Sequence, residues 1–257
     1  MDHARPEPRE HTLIAPTTDQ WRLLDIQGVD TRMQQIAHSE RTLPEHAELA
    51  ELEQQATVLR DDLVRAQTAA SDTNREFLKA EADVEQVRQR AARDQARLDS
   101  GQGGHKDLES LQHELATLAR RQSDLEDVEL EVMERLEAFN TDVDRLGTEQ
   151  AALQEKVAVV VAARDAKLVK LADERESLQR DRAGMVLGLD APLLALYEKI
   201  RESSGAGAAM LRARRCEGCR LELNPQELQR IRAAADDEVV RCDDCRRILV
   251  RTGESGL

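Results

Sequence analysis

From Leu49 onward, apolar residues return at alternating intervals of three and four. The first set is Leu49, Ala56, Leu63, Ala70, Phe77, Val84, Ala91 and Leu98, and the second is Leu52, Leu59, Ala66, Thr73, Ala80, Val87 and Asp94. Thirteen of these fifteen positions are apolar, a regularity that selects coiled coil. The alanines predict a close, thin interface. The pattern stops at Asp99-Ser100-Gly101-Gln102-Gly103-Gly104, where glycines permit a reversal. It resumes at Leu108, Leu111, Leu115, Leu118 and Leu125 and runs to Leu178, ending near Gly184 as a C-terminal glycine.

Ahead of Leu49 lies a shorter stripe: Leu23, Leu24, Ile26, Val29, Met33 and Ile36. Thr17-Thr18-Asp19-Gln20 has capping-box form, and so does Thr42-Leu43-Pro44-Glu45. The pattern therefore predicts helices over about 18–41 and 43–98, with a return helix over about 105–183 long enough to lie along both. At ~1.5 Å per residue the rod would be roughly 120 Å long. Folding the register about residue 102 places Pro44 near Val160. There Val157, Val159, Val160 and Val161 make the return helix apolar on more than one face, a stretch that calls for a further neighbour, either the first helix packed out of line or a bound partner.

The flanks complete the domain organisation. Residues 1–17 are polar, with three prolines, and read as a disordered arm; 18–183 form the hairpin, with its turn near 99–104. Residues 184–202 hold a short connecting helix, with Asp190 placed to cap it and Pro192 in its first turn. Ser203-Ser204-Gly205-Ala206-Gly207 reads as a flexible joint ahead of a module over 203–257. The fold class is mainly α: a long antiparallel coiled-coil hairpin with a small, β-rich module at its C-terminus.

That module contains all four cysteines of the 257 residues, as the C-x-x-C pairs Cys216/Cys219 and Cys242/Cys245. Two such knuckles complete a tetrahedral four-sulfur shell, which selects Zn²⁺, with iron as the main competitor. A closed shell makes the metal structural, one ion per chain. A redox role is the alternative for either pair alone, weakened by their occurring as a set. Ala208–Arg214 and Arg247–Arg251 read as strands, and Pro225–Ile231 as a short helix. So small a module, poor in large apolar groups, needs the metal as a staple.

Charge divides the chain. The net charge is −14, yet residues 203–257 carry ten arginines against nine acids. Arg214, Arg215, Arg220, Arg241, Arg246 and Arg247 flank the knuckles, and Arg212 and Arg251 lie just beyond. Guanidinium suits phosphate, so RNA or DNA at the ribbon is an alternative partner. The ribbon lacks any aromatic residue for stacking bases, and its acids could simply pair with its arginines. Elsewhere the longest apolar run, Val157–Ala163, is far too short to span a membrane, and the N-terminus has no apolar signal core. Cysteines in metal-type pairs fit a reducing cytoplasm. There is no phosphate loop, nucleophile elbow or H-E-x-x-H, and no two histidines sit four apart, so neither catalysis nor a small-molecule substrate is expected.

The Gly-rich turn SGQGGHKDLESLQHEL, the helix APLLALYEKI and the ending CEGCRLELNPQEL…VVRCDDCRRIL together resemble the bacterial family of coiled-coil proteins with a C-terminal C4-type zinc ribbon. The resemblance covers nearly the whole chain from about residue 18. It implies zinc ligation by Cys216, Cys219, Cys242 and Cys245 and a non-enzymatic role as adaptor or chaperone. Some relatives are tied to flagellar or secretion machinery, an alternative sigma factor or RNA. An analogy of architecture with polymerase-regulating hairpin proteins would also give the tip residues Asp99 and Asp107 a role.

Overall fold

The computed structural model describes residues 13–257. In chain order the elements are α1 (Thr17–Arg41), α2 (Pro44–Asp99), α3 (His105–Val186), α4 (Ala191–Ser204), β1 (Ala208–Arg212), β2 (Arg215–Cys216), α5 (Pro225–Ala233), β3 (Val240–Arg241) and β4 (Ile248–Val250). The chain is mostly helical, with long helices forming a hairpin and a small strand region at the C-terminus. It divides into two compact units, residues 44–163 and the remainder.

In the unit over 44–163, all fifteen seam positions of α2 are buried or half-buried, the polar Thr73 and Asp94 among them. Asp94 is tolerated there because Arg90 and Arg97 lie 3.8 and 3.9 Å from its carboxylate. From α3, Leu111, Leu118, Val132, Leu146 and Leu153 complete the seam. Ion pairs Arg88–Glu126 (2.6 Å), Arg135–Glu76 (2.6 Å) and Arg90–Glu114 flank it and set an antiparallel register. At the tip, Gly101 (φ 64°) and Gly103 (φ 140°) adopt conformations that disfavour a side chain. The Gly104 amide donates to Asp107 Oδ2 at 3.1 Å, so this carboxylate caps α3. Fourteen basic and 27 acidic residues leave this unit with a net charge of −13.

The other unit contains α1, the end of α3, α4 and a four-stranded sheet of order β2-β1-β4-β3. β1 and β4 are parallel, with Ala208, Ala209 and Met210 opposite Ile248, Leu249 and Val250; the outer pairings are antiparallel. Alternation along the strands splits their side chains between two cores. Ala208, Val239, Ile248 and Val250 pack with Leu23 and Ile26 of α1 and Leu193, Tyr197 and Ile200 of α4. Ala209, Leu211, Val240 and Leu249 pack with Ile231 of α5, Leu223, Cys216 and Cys242.

This two-sided burial corrects several sequence expectations. Residues 203–207 are fastened, not a flexible joint. The Gly207 amide donates to Gln27 Oε1 at 2.7 Å, and Gln34 Nε2 donates to the Gly205 carbonyl at 2.5 Å. A Cβ at Gly207 would lie 2.5 Å from Tyr197 Cδ2 and 2.6 Å from its carbonyl oxygen. The expected arm over 1–17 falls mostly on residues 1–12, outside the described ones. Residues 13–17, however, belong to the fold. The Val239 amide donates to the Leu13 carbonyl and the Ala15 amide to the Asp237 carbonyl, covering backbone that would otherwise stay unpaired at a sheet edge.

Neither capping box forms. α1 begins at Thr17 itself, and Pro16 in the cap position makes no side-chain bond. Thr17 Oγ1 donates to the Asp236 carbonyl, while Gln20 Nε2 donates to those of Ala15 and Asp237. The nearby loop thus recruits these side chains. Thr42 Oγ1 donates back to the His38 carbonyl at 2.9 Å, closing α1 instead of opening α2. Gly184 stays helical, and Gly188 (φ 73°) takes the left-handed position after α3. Asp190 does cap α4, accepting from the Leu193 amide at 2.9 Å.

Candidate metal centre

The two cysteine knuckles are built alike. The Cys216 amide donates to the Leu221 carbonyl, and the Arg220 amide donates back to the Cys216 carbonyl at 2.7 Å. The same pattern joins Cys242 N–H to Arg247 and Arg246 N–H to Cys242, at 3.0 and 2.9 Å. The residue after each second cysteine turns left-handed, Arg220 at φ 62° and Arg246 at φ 61°. Gly218 admits the first knuckle against the sheet, since a Cβ there would lie 2.9 Å from both Ala209 Cβ and Arg247 Cδ. The buried Glu227 of α5 secures the second knuckle, accepting from the Asp243 amide at 2.9 Å.

These turns bring the four sulfurs within 4.8 Å of one another. Cys216 and Cys245 Sγ are 3.7 Å apart, and Cys219 and Cys242 Sγ 3.8 Å. A tetrahedron with Zn–S bonds of about 2.3 Å has sulfur–sulfur edges of about 3.8 Å, so the shell fits zinc. Burial pushes the Cys216 thiol up to about 11, and pushes Cys242 up as well. Burial also opposes ionisation of Cys245, but the Arg247 amide and three neighbouring sulfurs outweigh it and bring that thiol below its usual value. Buried thiols such as Cys216 and Cys242, which ionise reluctantly without a cation, are what a dication would hold as thiolates.

The arginines singled out in the sequence differ in exposure and partners. Arg214, Arg215, Arg220 and Arg246 are exposed, while Arg241 and Arg247 are half-buried. Arg247 donates to the carbonyls of Ala206 and Ser204, Arg241 to that of Arg246, and Arg214 to that of Gly256. Arg212 pairs with Glu254 at 2.9 Å. Arg251 donates to carbonyls of Ala234, Ala235, Asp236 and Glu238 and organises the loop before β3. In the hairpin unit, Val159 is exposed whereas Val157, Val160 and Val161 are half-buried.

Sequence reasoning missed two features. Glu227 sits in a helix written PQELQRIRA, where an acid in the first turn is ordinary, and only its burial marks it. Asp30 lies seven residues after Leu23 and four after Ile26, an acid within the α1 stripe, and it is buried against Arg182, Arg201 and Tyr197; that position on the apolar face was the signal that could have found it.

Comparison with known proteins agrees with this construction. Residues 26–205 match the CT398-like coiled coil hairpin domain, and residues 215–249 match the C4-type zinc ribbon domain. The uncharacterized protein Rv2229c of Mycobacterium tuberculosis is 35% identical over 237 residues, covering 92% of this chain and 97% of its own. A solved structure from Mycobacterium smegmatis is 39% identical, with a TM-score of 0.84 over 93% of this chain and 100% of that one. The structure of CT398 from Chlamydia trachomatis is 17% identical, with a TM-score of 0.65 over 91% and 98% of the two chains; that likeness is one of fold.

Proposed function

Because the chain belongs to the CT398-like coiled coil hairpin family and ends in a C4-type zinc ribbon, we propose that it is a non-enzymatic, cytoplasmic adaptor that binds partner proteins along its acidic hairpin. The closed sulfur shell carries this reading. Cys216, Cys219, Cys242 and Cys245 would hold one zinc ion with every coordination position filled by protein. Such an ion cross-links two knuckles and leaves no site for a reacting molecule. What remains for function is surface, and the unit over 44–163 offers it with a net charge of −13. Affinity capture from native cells with the zinc-loaded full chain tests this. A partner recovered at stoichiometric yield and released by salt is expected. The absence of any specific partner, or a turnover activity lost on a single ribbon substitution, would overturn it.

A second reading, nucleic acid at the ribbon, draws on the exposure of Arg215, Arg220 and Arg246 around the knuckles. It predicts binding to single-stranded RNA or duplex DNA that weakens steeply with salt and is lost in the Arg215→Ala/Arg220→Ala/Arg246→Ala variant. No binding at low salt removes it.

A further inference from the structure

One side of the hairpin unit carries an uncovered apolar groove. Its first stretch, about 570 Å³, is lined by Val58 and Leu59 of α2 and Ala152 and Leu153 of α3. A second stretch, about 470 Å³, shares Ala152 and Lys156 with the first and continues past Leu52 to Val159 and Val160. Leu59, Leu153 and Val160 belong to the seam, whereas Val58 and Val159 each precede a seam residue and stand outside it, 61% and 63% exposed. Between the two helices Leu59 and Val160 stay half-buried, and a third helix laid in the groove would cover the rest.

Length and charge define the occupant. The groove follows α2 from Glu48 to Asp62, roughly 20 Å at 1.5 Å per residue, which is about four helical turns. Its rim carries Glu48, Asp62, Glu149 and Glu155 against the single cation Lys156. A second copy of the chain would bring the same acidic rim and repel it, whereas a basic helix complements it.

We propose that this groove receives a basic amphipathic helix of a partner protein. Apolar residues of that helix at i, i+3 or i+4, and i+7 enter between Val58 and Val159, and its Lys or Arg flanks face Glu48, Asp62, Glu149 and Glu155. This rests on the adaptor reading and specifies where and what the adaptor binds.

Site-directed photo-crosslinking tests it. In the full chain, expressed in its native host, Val58 or Val159 is replaced by p-benzoylphenylalanine, with Leu78 and Leu130, exposed elsewhere on the same unit, as control positions. The expected result is that Val58 and Val159 both capture one segment of one protein, net positive and with helical apolar spacing. The yield should fall at least tenfold in the Glu149→Lys/Glu155→Lys variant, whose circular dichroism is unchanged. Capture of a second copy, or of an acidic or unpatterned segment, overturns the proposal. Capture of a partner at Leu78 or Leu130 alone overturns the groove and leaves the adaptor reading intact. No capture at any of the four positions removes both.

Discussion

The Tyr197 hydroxyl donates to Asp30 Oδ2 across 2.7 Å, joining α4 to α1 at a carboxylate that is 1% exposed. Arg182 of α3 donates to both oxygens of Asp30, at 2.6 and 3.2 Å, and also pairs with Glu198. Arg201 approaches Asp30 Oδ2 at 3.5 Å and donates to Glu198 at 2.8 Å. Three helices therefore meet on one buried charge. Truncating Asp30 leaves two half-buried guanidinium groups to share Glu198 alone, so Asp30→Ala should cost about 2–4 kcal/mol, and Tyr197→Phe about 1–2 kcal/mol. Denaturant unfolding followed by fluorescence of Trp21, the sole tryptophan, measures both. Equal small losses would show that the network is not coupled.

The same pair sets a pH response. Burial, and then Asp30, raise the Tyr197 hydroxyl well above the usual tyrosine range. The folded state thus keeps a proton that the unfolded chain loses near pH 10. The contribution to stability is complete below that pH and declines as pH rises above it. Unfolding curves between pH 9 and 11 should show this loss in the wild type and a smaller one in Tyr197→Phe.

Removing zinc should unfold the ribbon and spare the hairpin. Cys216 and Cys242 are part of the core that closes one face of the sheet, and without the metal their thiols repack as small, poorly partnered groups. Metal analysis should give one zinc per chain. Chelation should abolish amide protection in β1, β3 and β4 and shift Trp21 emission, because the indole N–H donates to the Arg251 carbonyl at 2.8 Å. The helical circular dichroism should change little. A sheet that stays protected without metal would refute this.

Two glycines should respond in opposite directions to alanine. At Gly207 the new Cβ meets Tyr197 backbone and ring at 2.6 and 2.5 Å, so Gly207→Ala should destabilise by about 1–3 kcal/mol and expose residues 203–207 to protease. At Gly28, inside α1, nothing lies within 4 Å, so Gly28→Ala should stabilise by about 0.5–1 kcal/mol. Thermal melts of the two variants decide the matter.

Arg251→Lys should not preserve the loop before β3. The planar guanidinium reaches the carbonyls of Ala234, Asp236 and Glu238 at 3.0, 3.1 and 2.8 Å, and an ammonium cannot serve that spread. A loss of about 1–3 kcal/mol is expected, with Trp21 emission shifted. Wild-type stability in the lysine variant would show that charge alone suffices.

The legible part of this protein is the part governed by short-range rules. Heptad spacing places Leu49 through Leu98 on one side of a helix whatever else the chain does. Gly101 and Gly103 announce a reversal because they alone tolerate its backbone, and Asp190 caps α4 through an amide three residues away. The cysteine shell was equally plain, because C-x-x-C brings two sulfurs to one vertex and thiolate chemistry selects the metal.

The capping residues show where such reading fails. Thr17 and Gln20 have the right identities and spacing, but the carbonyls of Asp236 and Asp237, more than two hundred residues later, take their donors instead. The glycine-rich stretch before the ribbon has a linker's composition, yet Gln27, Gln34 and Tyr197 close on it. A local rule describes a preference in isolation, and a tertiary neighbour can offer a better partner.

By itself, then, the sequence determined the helices, their reversal, the sulfur shell and the segregation of acid onto the hairpin, all of which follow from periodicity, backbone sterics and ligand chemistry. Only the tertiary structure decided that the ribbon docks on α1 and α4 through its own sheet, which groups meet on Asp30, and which arginines hold carbonyls. Those outcomes depend on which surfaces meet across long stretches of chain, and burial created by that meeting is written in no local pattern.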